Sequence, residues 1–369
     1  MATYRNIRKV LNLPTLSANP ASGINGEMYF NTTDLALYIY DGMWKIVTQS
    51  ALPTVAYGSS KGFVSAGLTG LWTFRQAIDS YSMTSDGNAT DQGDLGSSMA
   101  FVLGVNSLTH AYTLGGRYRS GTTWYERDYI FKYAMASASN GSDIGDMTNE
   151  QNWQAGCNGQ MSSTHGYKMG GSSTSNVGDK VEKISFSSDG NASAVGSMSS
   201  LLLKMCGINS DTKGYAYQGN ANGGYNAHGE ASNVTFASDA IATVGYFAPG
   251  SQDTSNTSSM ANAAGVVSPT AGYAVAGTTY QGTGRNVITK VVFASEAHST
   301  ISGTALRVGQ DSTQGSAASS ASYGFVASVP ASFYGASNTI EKLDTSADSN
   351  MTDVGDLVQS SILQGGHHI

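Results

Sequence analysis

Residues 78–96 read IDSYSMTSDGNATDQGDLG and contain the pattern that decides the fold of this chain. A close copy, VEKISFSSDGNASAVG, occupies residues 181–196, and shorter matches begin at Ile288 and Ile340. In each copy large side chains stand at alternate positions, and an acid follows with a glycine seven residues after it. The alternation predicts a strand with one buried face. The SDGN turn behind it predicts a tight hairpin, because Asp, Gly and Asn tolerate positive φ.

An aromatic anchor precedes this pattern in each of six copies, which we call repeats 1 to 6. The anchors are spaced 48 to 58 residues apart and are Phe63, Tyr112, Tyr167, Tyr215, Tyr273 and Phe325. Repeat 2 departs from the pattern because Ala138 replaces the acid, and repeat 4 shortens the interval from acid to glycine by one residue. A period near fifty residues is typical of propellers and arrays.

Each repeat is predicted to form four short strands, a to d. Strand a is a run of small residues such as LGVNS from Leu103, strand b contains the anchor, strand c is the alternating phrase, and strand d resembles the segment from Ala89. Six such sheets bury their faces best in a closed ring, whereas an open stack would leave two unpaired edges. We therefore expect an all-β fold in which residues 51–369 form a six-bladed β-propeller. Residues 51–60 and 361–368 both resemble an additional strand a, so either terminus is a candidate to complete the ring.

The composition limits the possible partners. Glycine accounts for 45 of 369 residues and charged residues for only 12%, which is typical of a turn-dense β protein with a neutral surface. The net charge of −7 lacks the basic surface that nucleic-acid binding demands. No apolar run approaches the roughly 18 residues of a membrane helix, and Pro14 interrupts the segment where a signal peptide would be apolar. We expect no nucleic-acid partner, no membrane partner and folding in a cytoplasm.

The cysteines and histidines do not form a recognisable reactive site. Cys157 and Cys206 lie in the strand a segments of neighbouring repeats, and we interpret them as free buried thiols because no export signal is present. The six histidines contain no HExxH motif and no partnered nucleophile. His110 and His165 directly precede the anchor regions, which favours a structural role, and His367 and His368 are predicted to be part of a flexible polar terminus. We therefore expect no catalytic residues, no metal and no cofactor.

The first fifty residues have a different pattern. Residues 26–47 read GEMYFNTTDLALYIYDGMWKIV, and their alternating apolar residues predict three short strands joined by NTTD and DGM turns. Residues 1–50 are therefore predicted to be a separate β-hairpin or meander module. Its extended lead, residues 2–23, is suited to ordering against another subunit, or is an ordinary disordered terminus.

Two resemblances follow from these motifs. Residues 26–44 resemble a module of tailed-bacteriophage structural proteins with a GExYFNTTxxxLxxYDGxxW pattern; the matching residues are Gly26, Glu27, Tyr29, Phe30, Asn31, Thr32, Thr33, Leu37, Tyr40, Asp41, Gly42 and Trp44. The repeats resemble the Kelch-like propeller repeats of phage virion proteins, which favour GYVSGG, IxKFSF and SDxNATDxGDL. Residues 62–67, 78–83 and 85–95 match these most closely, whereas Ala111 and Val329 depart from them.

The resemblance implies a virion protein, assembled in the host cytoplasm and present as a homo-oligomer in the virion. It implies attachment to other virion proteins through residues 1–50. We expect the attachment contacts to involve the larger apolar and aromatic residues of that module, namely Tyr4, Leu13, Tyr29, Phe30, Tyr38, Tyr40 and Trp44.

The loops between strands b and c carry exposed aromatic and arginine side chains. If the strands alternate in direction, these loops share one face of the ring. The residues predicted for this ligand or interface face are Trp72, Phe74, Arg75, Tyr118, Arg119, Trp124, Tyr125, Tyr225, Tyr280, Arg285, Phe333 and Tyr334. Aromatic rings interleaved with arginine are typical anchors for sugars or proteins. The alternative is that several of them fold back over blade edges and complete the core.

The opposite face carries acids at repeated positions. They are Asp86, Asp91, Asp94, Asp189, Asp239, Glu296, Asp348, Asp353 and Asp356. Carboxylates clustered in turns can hold Ca²⁺. Because these acids recur beside Gly and Asn, turn formation explains them without a metal.

These patterns favour a non-enzymatic structural protein of a tailed-phage virion, such as a tail fibre or appendage protein, whose propeller contacts a host surface glycan or protein or another virion subunit. A capsid decoration or head-fibre protein is one alternative, and a glycan-degrading virion enzyme is another. A cellular Kelch scaffold is disfavoured by the phage-like first fifty residues.

Overall fold

A computed structural model describes residues 14–33, 36–40, 42–46, 60–69, 73–151, 159–171, 178–221, 226–246, 262–278, 284–306, 315–329 and 336–368. The chain divides into two compact units, Met1–Leu52 and Pro53–Ile369. All of the regular structure in these ranges is strand, and they contain no helix. The prediction of an all-β chain is confirmed.

The described residues of the N-terminal unit form one sheet of four strands. These are β1 (Thr15–Leu16), β2 (Met28–Asn31), β3 (Ala36–Tyr40) and β4 (Trp44–Ile46), and they are adjacent in that order. β1 runs parallel to β2, and the other pairs are antiparallel. Three of these strands correspond to those predicted between residues 26 and 47. The sequence did not predict β1, because a two-residue strand is too short to show a period of two.

The C-terminal unit contains strands β5 to β31. In chain order they are β5 (Lys61–Ser65), β6 (Leu68–Thr69), β7 (Thr73–Ser82), β8 (Thr90–Met99), β9 (Leu103–Asn106), β10 (His110–Leu114), β11 (Arg117–Ser120), β12 (Thr123–Ala134), β13 (Ser142–Gln151), β14 (Gln160–Met161), β15 (His165–Met169), β16 (Lys180–Ser185), β17 (Ser193–Ser197), β18 (Leu202–Leu203), β19 (Cys206–Asn209), β20 (Lys213–Ala221), β21 (Asn226–Thr235), β22 (Ala240–Tyr246), β23 (Ala264–Val267), β24 (Ala271–Thr278), β25 (Gly284–Val292), β26 (Ala297–Thr304), β27 (Ser316–Ser319), β28 (Tyr323–Ala327), β29 (Ser337–Asp344), β30 (Thr352–Ser361) and β31 (Gly365–His368).

These strands form antiparallel sheets in which strands a to d of a repeat lie side by side. The sheets of repeats 2 to 6 are β9-β10-β12-β13, β14-β15-β16-β17, β19-β20-β21-β22, β23-β24-β25-β26 and β27-β28-β29-β30. Repeat 1 supplies β5, β7 and β8, and its first strand is the C-terminal β31. The short strands β6, β11 and β18 pair antiparallel with one end of β7, β12 and β20, respectively.

The C-terminal strand is therefore part of the first sheet. β31 pairs with β5 in an antiparallel register that joins Gly365 to Ser65 and His367 to Phe63. The His367 side chain is fully buried, with Nε2 3.0 Å from the Ser65 hydroxyl and Nδ1 3.1 Å from the Val105 carbonyl. The prediction of a flexible polar terminus at His367 is wrong, because these two partners hold the imidazole inside the protein.

The first strands of the sheets also contact one another. β9 touches β14 and β31, β19 touches β14 and β23, and β27 touches β23 and β31. Small residues allow this approach: a Cβ added at Gly104 would lie 2.4 Å from the Gly366 carbonyl oxygen. Each of these six strands thus contacts two others.

Hydrophobic side chains fill the spaces between consecutive sheets. Phe63 and Ile78 of repeat 1 share one cluster with Phe131 of repeat 2. Tyr81 shares another with Phe325 of repeat 6, so the last and first repeats pack together in the same manner. The aromatic anchors are almost completely buried in these clusters. The burial of apolar area in these clusters is the main favourable contribution to folding.

The acid after strand c pairs with a lysine of the preceding repeat. The strand c pairs are Lys132–Asp189, Lys183–Asp239, Lys290–Asp348 and Lys342–Asp86, the last joining repeat 6 to repeat 1. In repeat 4 Asn233 replaces the lysine, and Lys213 of strand b reaches Glu296 instead at 2.8 Å. In the described part of the chain, no group of three or more His, Cys, Asp or Glu residues is placed to hold a metal ion. Asp91 and Asp353 of the same predicted face accept the backbone N–H of Gly93 and Gly355, at 3.0 and 3.2 Å.

Asparagines two residues after the acid position form a second link between repeats. The side-chain oxygens of Asn88, Asn140, Asn191 and Asn350 each accept a backbone N–H of the preceding repeat at 3.0 Å. The Asn88 bond again connects repeat 6 to repeat 1, because its donor is Asp356. The repeated Asn therefore joins neighbouring sheets through a side-chain hydrogen bond, which we call the asparagine clamp, in addition to its role in the turn.

Candidate interaction surface

The most distinctive part of the predicted interface face is a hairpin in repeat 2. β11 and the first half of β12 are joined by a two-residue turn, Gly121 and Thr122. Gly121 has φ +60° whereas Thr122 is not in the left-handed region, as in a type II′ turn, where glycine is preferred at the first central position. The register pairs Tyr118 with Tyr125 and Arg119 with Trp124.

One side of the hairpin packs on the body of the C-terminal unit. The Arg117 guanidinium lies 4.1 Å from the Phe101 ring centroid and 3.9 Å from that of Trp124. Trp124 also meets Phe74 edge to face, with the centroids 5.9 Å apart. Arg119 lies over the same indole at 5.6 Å. These cation–π and aromatic contacts fix the hairpin to the sheets.

The other side forms what we call the tyrosine face, made of Tyr118, Tyr125, Arg127 and Tyr129. The Tyr118 and Tyr125 rings are stacked, with centroids 5.0 Å apart and planes inclined by 16°. The Arg127 guanidinium lies 4.4 Å from the Tyr118 centroid and 5.4 Å from that of Tyr129. Tyr125 is 40% exposed. A flat, partly exposed aromatic pair beside a cation can contact a sugar ring or an apolar protein side chain at small entropic cost.

The structure places the other predicted residues differently. Arg75 is buried, with Nη2 3.0 Å from Asp79 Oδ2 and Nη1 2.9 Å from the Ser361 hydroxyl, so it joins repeats 1 and 6 and is not a surface anchor. Burial raises the pKa of the Asp79 carboxyl, although Arg75 opposes the shift. Arg285 is half-buried in β25, in the sheet of repeat 5. Trp72, Tyr225, Tyr280, Phe333 and Tyr334 lie outside the described residues.

Sequence reasoning missed two residues of the hairpin, Arg127 and Tyr129, and the residue Phe101 on which the hairpin packs. Arg127 and Tyr129 follow Tyr125 at intervals of two, so the period of a strand could have placed them on its face. Phe101 lies in the segment between β8 and β9, and nothing local links it to the hairpin.

The residues predicted for virion attachment mainly stabilise the N-terminal sheet. Tyr29 and Tyr38 are buried and stacked at 5.4 Å, and Tyr29 meets Trp44 edge to face at 4.8 Å. The Trp44 indole N–H donates to the Pro20 carbonyl at 2.9 Å, and Tyr40 packs against the same indole at 5.1 Å. Burial leaves Tyr29 and Tyr38 unavailable to a partner.

The other three predicted attachment residues are Phe30, Tyr4 and Leu13. Phe30 is half-buried on the opposite side of β2, and Tyr4 and Leu13 lie outside the described residues.

The remaining reactive side chains have structural partners. His110 and His165 contact the preceding threonine hydroxyls at 2.9 Å, and burial followed by a nearby lysine lowers the pKa of each imidazole. Cys206 is a buried thiol, and Cys157 lies outside the described residues.

Comparison with known proteins adds no family. No protein-family model matches the chain, and no curated protein matches its sequence. In the described ranges there is no helix of the length and apolarity that a membrane crossing needs.

Proposed function

We propose that the C-terminal unit is a closed, six-bladed β-propeller of the Kelch-like type. The support is that the ion pair, the asparagine hydrogen bond and the hydrophobic packing found between other successive repeats also occur between repeat 6 and repeat 1, and that β31 adds a shared sheet there. The shared sheet of β31 and β5, the Lys342–Asp86 ion pair, the Asn88 clamp and the Tyr81–Phe325 contact all cross this junction. An open array would have no reason to match its two ends in this way.

The chain as a whole then acts as a non-enzymatic structural protein of a tailed-phage virion, most simply a tail fibre or appendage protein. Residues 1–50 attach it to other virion proteins, and the propeller is displayed for contact with a host surface or a neighbouring subunit. The observation that carries this proposal is the GEMYFNTT and YDGMW sequence in its own four-stranded sheet, next in the chain to the six repeats.

The tyrosine face is the surface of the propeller best suited to that contact. Its rings are stacked before any partner arrives, so binding would cost little side-chain entropy. Trp124, in contrast, is committed to Arg117 and Phe101.

The location can be tested on phage particles. The chain should co-purify with tailed particles through a density gradient, and Fab fragments against the C-terminal unit should label them at one type of position. Labelling of the tail would assign an appendage, and labelling of the head a decoration. Absence of the chain from purified particles would refute the virion proposal.

The contact surface can be tested with purified protein. The double variant Tyr118→Ala, Tyr125→Ala should lose most of its binding to host cells or to particles lacking the chain, with an unchanged melting temperature. Tyr323→Ala is the matched control, because Tyr323 is 38% exposed but lies in repeat 6. Equal binding by both variants would contradict the assignment of this surface.

A further inference from the structure

One junction between repeats lacks the lysine–acid pair on both sides. In repeat 1 Ser80 stands where repeats 2, 3, 5 and 6 have the strand c lysine, and in repeat 2 Ala138 stands in place of the acid. These two positions are the ones that would face each other across the junction of repeats 1 and 2. Phe63 and Tyr133 pack across it, with ring centroids 6.2 Å apart.

Repeat 4 shows how a lysine on strand b can replace the one on strand c. Lys213, two residues before the anchor, has its Nζ 2.8 Å from Glu296 Oε1. The Tyr215 hydroxyl and the Asn233 amide donate to the same oxygen at 3.2 and 3.3 Å. A carboxylate is thus bound by a strand b lysine together with a polar side chain at the strand c position.

Repeat 1 has the same two elements without the carboxylate. Lys61 lies two residues before its anchor, as Lys213 does, and Ser80 is at the position of Asn233. None of the ion pairs between described residues includes Lys61. Ala138 has no carboxylate to offer, so an anion placed beside Lys61 as Glu296 is beside Lys213 would be supplied by another molecule.

A cavity of about 370 Å³ lies beside Lys61 and Ser80 and is lined by residues of repeat 1. Its lining consists of Ser60, Lys61, Ser80, Tyr81, Ser82, Thr84, Asn88 and Thr90, and it includes no acid. The volume is within the roughly 300–1,000 Å³ of small-molecule sites. Five of these side chains carry aliphatic hydroxyl groups, which can donate to and accept from the hydroxyl groups of a sugar.

We propose that this cavity binds a carboxylate-bearing sugar of the uronic acid class. The sugar carboxylate takes the place relative to Lys61 that Glu296 takes relative to Lys213, and the serine and threonine hydroxyls contact the ring. This site is separate from the tyrosine face, and its occupancy does not depend on where in a virion the chain is located.

Glucuronate is the test ligand, titrated into the full-length protein and followed by NMR shifts of the Lys61 side-chain amine. Binding should move these signals, and glucose, which lacks the carboxylate, should bind at least about tenfold more weakly. Lys61→Gln should weaken glucuronate binding by a similar factor, as measured by calorimetry. Lys180→Gln is the matched control, because Lys180 is an exposed lysine on a different repeat.

A second variant tests the comparison with repeat 4. Ala138→Asp supplies the missing acid from within the chain, so it should raise the melting temperature and weaken glucuronate binding about tenfold or more. Unchanged glucuronate affinity in Lys61→Gln or in Ala138→Asp would overturn the proposal. Equal binding of glucose would also overturn it. Equal binding of N-acetylglutamate amide would show that a protein carboxylate is the occupant, which contradicts the assignment to a sugar.

Discussion

At the scale of single residues, the repeated acid and glycine act on the neighbouring repeat. Asp239 illustrates the acid, since its carboxylate accepts hydrogen bonds from Lys183 and from the Tyr167 hydroxyl of the preceding sheet. Burial favours the protonated form, but these hydrogen bonds outweigh it and hold the pKa of the Asp239 carboxyl below its usual value.

This shift predicts a pH-dependent contribution to stability. The unfolded carboxyl titrates near pH ~3.9, so the contribution is complete above that pH and is lost as the pH falls through the lower folded pKa. Asp239→Asn should therefore cost about 0.5–1 kcal/mol at pH 7, because the pair is partly exposed. Denaturant unfolding of the wild type and Asp239→Asn at pH 7 and at about pH 2.5 measures this loss of stability. A cost that does not shrink in acid would contradict the ion-pair account.

Gly355 illustrates the role of the glycine in strand d. A Cβ at this position would lie 2.2 Å from the Gly87 carbonyl oxygen of repeat 1, whereas a Cβ at Gly87 meets nothing within 4 Å. Both residues have φ +156°, which is a strained conformation for alanine at either position. Gly355→Ala should lower the free energy of unfolding by at least about 2 kcal/mol more than Gly87→Ala. Similar losses would show that the contact between repeats is unimportant.

At the scale of elements, the hairpin of β11 and β12 separates a structural side from an exposed side. Trp124→Ala removes contacts with Phe101, Phe74 and Arg117 and should cost about 2 kcal/mol, less than a fully buried tryptophan. Tyr125→Ala should change stability by no more than about 0.5 kcal/mol. Thermal unfolding of the two variants compares them. A larger loss of stability for Tyr125→Ala than for Trp124→Ala would contradict the assignment of Trp124 to the buried side and Tyr125 to the exposed side.

The strands of the C-terminal unit could be predicted because their sequence signals are local. Period-two alternation, SDGN turns and small-residue runs each indicate one strand or turn, and the structure places strands where they predict them. Whether an individual residue of the predicted interface face is exposed or buried could not be predicted in the same way. Arg75 is buried and donates a hydrogen bond to Ser361, which is 286 residues away in the chain. No local sequence pattern predicts a partner at that distance.

At the scale of the whole molecule, the sequence left open which terminus completes the first sheet. Residues 51–60 and 361–368 both resemble an additional strand a, and the long-range pairing of β31 with β5 assigns this position to the C-terminal segment. His367 adds specificity to this pairing, because its two ring nitrogens meet Ser65 and Val105 of different repeats. In the proposed propeller, closure of the ring therefore depends on the pairing of β31 with β5.

The most direct test of closure is a disulfide between Ser65→Cys and Gly365→Cys. These residues are paired in the register of β5 and β31, and a Cβ at Gly365 would lie 3.2 Å from the Ser65 hydroxyl oxygen. In a background with Cys157 and Cys206 replaced by alanine, oxidation should give a monomer that has no free thiol and migrates faster without reductant. Monomer that retains both thiols, or disulfide-linked dimers alone, would contradict the closed ring.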